Sequence, residues 1–340
     1  MRNSSNLLHS LCYHGRSLFC APLLPVSTSN VLSSPHLRIA TRSSPLALWQ
    51  AALVRREVLR YCPDAVVELR EFTTRGDILL DTSLSKIGGK ALFVKELEHA
   101  LLAGEADIAV HSMKDLPMVL PDGLHLGSIC ARGEPLDAWV SHHFAHIHDM
   151  PAGARVGTSS LRRQSQLRRV RPDLQFLDLR GNINTRLNKL DAGAFDAIVL
   201  AGAGLERLGL QARICTLLSP ELSLPAGGQG AVGIELRAND AGIAALIAPL
   251  HCEKTARCVL AERALNRHLQ GGCQVPIACY AVLENETLFL RGLVGSIDGA
   301  QILEASARST GCPEALGVQV AEQLLAAGAA SILAAVYAQP

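Results

Sequence analysis

At 340 residues the chain is long enough to bury a sizeable core and to divide into two or three domains, because single cores stop growing at roughly 250–300 residues. Hydrophobic residues make up 49% and charged residues 19%, with no apolar run long enough to cross a bilayer, which argues against a transmembrane protein. Lys plus Arg number 32 against 31 Asp plus Glu, so no bulk attraction to nucleic acid or membrane is expected, and basic residues act only where they are focused.

Residues 1–34 carry Arg2 and Arg16, many serines and no acid. Both an organellar transit peptide and an upstream start read into a cytoplasmic protein have this composition, and the segment is placed outside the fold. From Leu37 short apolar strands alternate with helices, the pattern of a parallel sheet covered by helices. Leu37 to Thr41 reads as a strand. Ser44-Pro45 reads as the N-cap and first residue of a helix with Leu46, Trp49, Leu53 and Val54 on its buried side. Val66 to Phe72 is the next strand, Leu92 to Leu102 a helix stopped by Gly104, and Asp107 to His111 a strand. The alternation restarts at Ala154 to Thr158, runs through Gln175 to Leu179 and Asn182 to Ala192, and returns at Asp196 to Ala201, which makes two similar α/β units.

Ala131 to Pro151 reads as an irregular crossing between them. His142, His143, His146 and His148 in that crossing read as a solvated loop, since no cysteine or clear carboxylate set completes a metal site. Ten scattered cysteines without a CxxC pair point to a reducing compartment. After about Pro249 the pattern changes to a helix (Ala256 to Leu269), three short strands (Ala278 to Leu283, Thr287 to Val294, Ala300 to Ala307) and a closing helix (Pro313 to Ala327). This is expected to be a third, α+β unit on a small antiparallel sheet.

In open α/β sheets ligands bind beyond the carboxyl ends of the strands. There the sequence places Arg42, Ser43 and Ser44, then Ser112, Lys114 and Asp115, then Ser159, Ser160, Arg162 and Arg163, then Arg180 and Arg186, and finally Arg207. Cations beside hydroxyls at nearly every strand end suit an anion with several acidic groups. Phosphate signatures fail: Gly89-Lys90 lacks the Walker pattern, and Ala226-Gly227-Gly228-Gln229-Gly230 is only loosely glycine-rich, marking a hinge at most. Polycarboxylate fits better. Asp115 is the one acid among these cations and is placed to stabilise a developing cation or relay a proton. Cys273, between Gly271-Gly272 and Gln274-Val275-Pro276, is placed like an attachment point or nucleophile.

Six stretches in this order, RIATRSSPLALWQ (38–50), KIGGK (86–90), AVHSMKD (109–115), VGTSSLRR (156–163), LRGN (179–182) and GGCQVP (271–276), closely resemble the porphobilinogen deaminase family, also called hydroxymethylbilane synthases. The resemblance runs from about Leu37 to the C-terminus. It implies two periplasmic-binding-protein-like α/β domains, 35–131 with about 231–249 and 136–226, plus a smaller α+β domain at 250–340. The implied activity joins four porphobilinogen units head to tail with loss of ammonia and releases hydroxymethylbilane for haem and related pigments. The implied cofactor is a dipyrromethane held by a thioether to Cys273. Asp115 matches the catalytic carboxylate that stabilises the azafulvene left when ammonia departs. Lys114, Thr158, Ser160, Arg162, Arg163 and Arg186 match contacts to the cofactor's acid side chains, and Arg42, Ser44, Arg180 and Arg207 match substrate contacts. Lys86 and Lys90 lie on a matching lid, and Phe93 matches an aromatic near the cofactor.

A monomer acting on a small molecule, with no metal, nucleic acid or membrane partner, is expected in the cytoplasm, or in an organelle if residues 1–34 are a transit peptide. The competing class is a non-catalytic solute-binding module for a polycarboxylate. It would share the cation-lined strand ends but would leave Cys273, Asp115 and the third domain without a purpose. A zinc hydrolase would rest on the histidines alone.

Overall fold

The structure is a computed structural model and describes residues 34–74, 94–272 and 274–338. The extension up to residue 33, the lid residues Lys86, Lys90 and Phe93, and Cys273 lie outside the described residues.

A first sheet of five strands has the order β2-β1-β3-β10-β4, with β1 His36–Arg42, β2 Val66–Phe72, β3 Ile108–Ser112, β4 Leu124–Ile129 and β10 Val232–Arg237. The first three run parallel, while β10 enters antiparallel between β3 and β4. β3 is buried along nearly its whole length, as a central strand covered on both faces should be. On one face lies α1 (Pro45–Tyr61), opened as expected by Ser44 as N-cap and Pro45 in the first turn. Its buried residues are Ala47, Gln50, Ala51, Val54 and Val58, so Val54 is buried as expected while Leu46, Trp49 and Leu53 are only partly buried. Small residues let the helix lie close on the sheet, and fully burying Val54 and Val58 contributes on the order of 1.5–3 kcal/mol each. Leu46 and Trp49 face sideways instead: Leu46 approaches Gly204, and Trp49 lies under Arg207. On the other face α2 (Lys95–Leu102) packs Leu97, Ala100 and Leu101 onto Ala40 and Ala109, and ends before Gly104 at φ +71°.

The second sheet repeats the plan as β7-β6-β8-β5-β9, with β5 Asp137–Ser141, β6 Arg155–Gly157, β7 Gln175–Leu177, β8 Ala197–Ala201 and β9 Thr216–Leu218. Here β5 is the antiparallel insert, pairing with both β8 and β9. This corrects the reading of Ala131 to Pro151 as irregular, because Ala138, Trp139 and Val140 are core residues of a central strand. The helices α3 (Leu161–Val170), α4 (Ile183–Asp191) and α5 (Gly202–Arg207) follow β6, β7 and β8. The chain thus passes between the sheets twice, and each passage borders an antiparallel strand.

Beyond α6 (Ala241–Ile247), α7 (Glu253–His268) leads to a three-stranded antiparallel sheet of β11 (Ile277–Glu284), β12 (Thr287–Gly295) and β13 (Ile302–Ser309). Asn285 and Glu286, at φ +44° and +68°, form the two-residue turn between the first two strands. α8 (Pro313–Ala326) and α9 (Ala329–Tyr337) close this unit, bent by 84° relative to each other across Gly328. Among the described residues no single helix is long and apolar enough to cross a membrane. The expected class, two α/β units with a smaller third unit of sheet and helix, is what the chain forms.

Candidate functional site

The carboxyl end of β3 and that of β6 bring their following residues together. Lys114 and Asp115 leave β3, with the Asp115 N–H bonded to the Ser112 carbonyl at 2.9 Å. Thr158 and Ser160 leave β6, and Ser160 is the N-cap of α3, whose first turn carries Arg162 and Arg163. Arg180 follows β7, and Arg186 lies in α4, which is capped by the Asn182 side chain on the Thr185 N–H at 2.9 Å.

Asp137, the first residue of β5, anchors this group. Its Oδ2 accepts from Arg162 Nη1 at 2.8 Å and from the Ser223 hydroxyl at 2.8 Å. Its Oδ1 accepts from Arg163 Nε and Nη2 at 3.0 and 2.7 Å and from the Gln229 amide at 3.0 Å. Burial alone would push this carboxyl up, but the two guanidiniums overcome it and hold the group well below the usual carboxylate range. Arg162 also donates to the Leu224 carbonyl and Arg163 to the Val199 carbonyl.

Around this anchor the charge is unbalanced. Among the described residues Lys114, Arg162, Arg163 and Arg186 interact with two carboxylates, Asp115 and Asp137, and Arg180 adds a fifth cation beside Arg186. Desolvation lowers the Lys114 amine from 10.5 to about 8, partly offset by Asp115 and Asp137 and reinforced by Arg163 and Arg162. Desolvation and then the neighbouring Arg163 lower Arg186 to about 10. Arg180 Nε is buried without a hydrogen-bond partner. Asp115 is exposed, and its carboxylate accepts no hydrogen bond from the described residues.

The remaining sequence-derived positions are placed differently. Arg42 ends β1, beside β3. The Ser44 hydroxyl serves as a helix cap, accepting from the Ala47 N–H at 3.4 Å. The Thr158 hydroxyl, buried, accepts from the Ser160 N–H at 3.3 Å. Arg207 stacks over Trp49, 5.5 Å from its ring centre, and donates to the Gly230 carbonyl at 2.6 Å. None of the five clustered cations is its partner.

Two residues escaped the sequence reading. One is Asp137, whose only signal is an acid opening an otherwise apolar strand. The other is Gln229, whose carboxamide accepts from Lys114 Nζ at 3.4 Å while donating to Asp137. Its neighbour Gly228 explains the glycine-rich stretch. At φ +78° it lies so close to the β3 loop that a Cβ would meet Met113 Cβ at 2.8 Å and Lys114 N at 3.1 Å. Its N–H donates to Glu262 at 2.6 Å. Glu262, fully buried on α7, also pairs with Arg132 at 2.7 Å and accepts from the Ala281 N–H at 2.8 Å, so one carboxylate joins the third unit to the passage between sheets.

The histidines do not converge: His142 bonds Asp191 and His146 bonds Thr216. No group of three or more metal-ligating side chains occurs among the described residues.

Fold and site together define an α/β protein with paired sheets and a third α+β unit, whose strand ends collect cations around one exposed carboxylate to handle a polyanion. Residues 37–245 match the family model described as porphobilinogen deaminase, dipyromethane cofactor binding domain, and residues 256–326 match porphobilinogen deaminase, C-terminal domain. The chain belongs to the porphobilinogen deaminase family. It is therefore a transferase of tetrapyrrole synthesis, with porphobilinogen as substrate and a dipyrromethane as cofactor.

Solved structures similar to it include a putative methionine-binding lipoprotein from Bacillus subtilis, at 13% identity over 65% of this chain and 92% of that one, TM-score 0.41. A nutrient-binding protein from Burkholderia cenocepacia bound to methionine is 15% identical over 62% and 90%, TM-score 0.39. A periplasmic substrate-binding protein of an ABC transporter from Coxiella burnetii is 13% identical over 65% and 95%, TM-score 0.41.

The residues present fit the cofactor. A dipyrromethane carries an acetate and a propionate on each pyrrole, and these would meet a cluster in which cations outnumber carboxylates and a buried guanidinium nitrogen lacks an acceptor.

Proposed function

We propose that the chain joins four porphobilinogen molecules head to tail, with loss of ammonia at each step, and releases hydroxymethylbilane. The observation that carries this reading is Asp115: an exposed carboxylate at a strand end, next to Lys114 and within the electrostatic reach of Arg163 and Arg186. When bound, the dipyrromethane supplies the pyrrole carbon from which the chain grows. Lys114 and Arg186 bind and orient the cofactor's acetate and propionate groups, Arg162 and Arg163, fixed by Asp137, add positive potential on that same cofactor side, and Arg180 binds acid groups of the substrate.

With the substrate's acid groups held this way, Asp115 faces its pyrrole nitrogen and stabilises the positive charge that develops there as ammonia leaves. In each addition the aminomethyl C–N bond breaks and a C–C bond to the growing chain forms. The proton displaced from the chain terminus departs with the ammonia, and Asp115 is the carboxylate placed to hold it in passage. Thr158 and Ser160 belong to the cofactor side of the site, and Arg42, Ser44 and Arg207 to the substrate side. Cys273 attaches the cofactor through a thioether, and Lys86, Lys90 and Phe93 belong to a lid, both assignments resting on the sequence motifs.

The test is incubation of the full chain with porphobilinogen, followed by ammonia assay, intact mass and peptide mapping. One ammonia per porphobilinogen consumed, with two pyrrole units on the Cys273 peptide, is the expected result. Porphobilinogen bound without ammonia release, with Cys273 unmodified, would overturn the reading in favour of a binding module.

A further inference from the structure

The sheet anchors the turn that presents Asp115 from one side only. Before the turn, the Met113 N–H donates to the Ala231 carbonyl at 3.0 Å, carrying the pairing of β3 with β10 one residue past the strand. The Asp115 N–H then closes the turn onto the Ser112 carbonyl at 2.9 Å. After Asp115 this support stops. Pro117 has no N–H to give, and among the described residues none from Leu116 to Leu120 takes part in a backbone–backbone hydrogen bond.

A side chain from α7 holds the two carbonyls that lead away. Arg263 Nη1 donates to the Leu116 carbonyl at 3.2 Å and Nη2 to the Pro117 carbonyl at 2.5 Å, one planar fork on two consecutive residues. Among the described residues Arg263 forms no salt bridge. Desolvation and then the neighbouring Arg267 lower its guanidinium to about 10, with Glu235 offsetting them in part. A cation withdrawn from water to serve two neutral carbonyls costs stability, and what it secures here is the exit from the Asp115 turn. Ala256 and Val259 of the same helix share a core with Met113 and the buried Leu116. Glu262, the residue before Arg263, holds the N–H of Gly228, which lies against Met113 and Lys114 on the entry side. Helix α7 therefore grips the turn on both flanks.

We propose that Arg263 is a positioning residue for Asp115: by clamping the Leu116 and Pro117 carbonyls it fixes the direction in which the turn points the Asp115 carboxylate. This rests on the reading of Asp115 as the group that stabilises the cation developing as ammonia leaves. Arg263 takes no part in that step and moves no proton. It removes the freedom of the segment next to Asp115 that the sheet leaves unbonded. A carboxylate displaced by about 1 Å stabilises the charge much less well, a loss of up to about 10² in rate. The fork also ties the turn to the helix that continues into the third unit, so that unit takes part in setting the geometry of the site.

The experiment introduces Arg263→Met, which keeps an unbranched stem but cannot donate, alone and together with Asp115→Asn, in holoenzyme whose mass has been checked. Arg263→Met is expected to lower kcat about tenfold and leave KM within about twofold. In the Asp115→Asn background the same change is expected to lower kcat by less than about twofold, because no carboxylate is left to misplace. In the apoprotein, hydrogen exchange should show the Asp115 N–H exchanging about tenfold faster in Arg263→Met. Arg263→Lys keeps the charge without the fork; it is expected to lose about threefold, in the Asp115 background only, and stands in if the methionine variant does not fold. Wild-type kcat, a change in KM alone, an equal loss in both backgrounds, or unchanged exchange at Asp115 overturns the proposal. Asp115→Asn turning over at the wild-type rate overturns the reading of Asp115 itself, an outcome distinct from the others.

Discussion

Arg163 and Asp137 meet through a single carboxylate oxygen, Oδ1, which accepts from both Nε and Nη2 of the guanidinium at 3.0 and 2.7 Å. Both side chains are almost completely out of water, and the other oxygen is held by Arg162 and Ser223. A buried pair of this kind is costly to break from one side, because the partner's charge is left uncompensated. Asp137→Asn should therefore lower the unfolding free energy of the apoprotein by about 3–5 kcal/mol, read from urea denaturation at pH 7. The folded-state value is depressed below the ordinary 3.8, so the contribution is fully present above about pH 4 and fades as the pH falls further. The gap between wild type and variant should stay constant from pH 7 to about 4 and narrow only below. A gap already closing at pH 6 would contradict the assignment.

Lys114 supplies a prediction of opposite sign. Its amine is lowered from 10.5 to about 8 in the protein alone, and bound carboxylates would raise it again. Binding of a polycarboxylate should take up close to one proton near pH 9, and affinity should fall as the pH rises from 8 towards 10.5. Calorimetric titration of the apoprotein with benzene-1,2,4,5-tetracarboxylate, in two buffers of different ionisation enthalpy, measures this uptake. Lys114→Met should abolish it.

Asp115 is exposed and makes no hydrogen bond through its carboxylate to the described residues, so stability should not depend on it. Asp115→Asn should leave the urea midpoint within about 0.5 kcal/mol of wild type and lower turnover by about 10²–10³. Steady-state rates on the loaded enzyme, with its mass confirmed beforehand, would show whether the loss lies in chemistry rather than in cofactor content.

Glu262 satisfies Arg132 and two backbone N–H groups at once. Glu262→Gln should cost about 3 kcal/mol of unfolding free energy. Adding Arg132→Met should cost less than the sum of the single changes, since the orphaned guanidinium disappears with it. Strict additivity would show that the two residues act independently.

The α/β rhythm was legible because the first strands and helices of each unit carry their own period and punctuation, such as Ser44-Pro45 and Gly104. The strands β5 and β10 were not. Both pair only with strands distant in sequence, and both follow glycine- or proline-bearing passages that read locally as loop. The cations were legible from the strand-end rule applied one strand at a time. Asp137 was not, because an acid before an apolar run looks like a cap until Arg162 and Arg163 are seen against it. The buried face of α1 was misjudged for a related reason: Leu46 and Trp49 pack against α5, and no local pattern announces a second neighbour.

The late insertion of β10 has a bearing on synthesis at the ribosome. The sheet that contains β1 cannot join β3 to β4 until Val232–Arg237 has emerged, whereas the sheet built on β6 needs nothing beyond Leu218. During vectorial translation the N-terminal segments must therefore wait, unpaired at one edge, while the middle of the polypeptide closes first. At roughly 5–20 residues per second that wait lasts several seconds, and in this interval the nascent chain exposes the edge of β3 to chaperones or to misassembly.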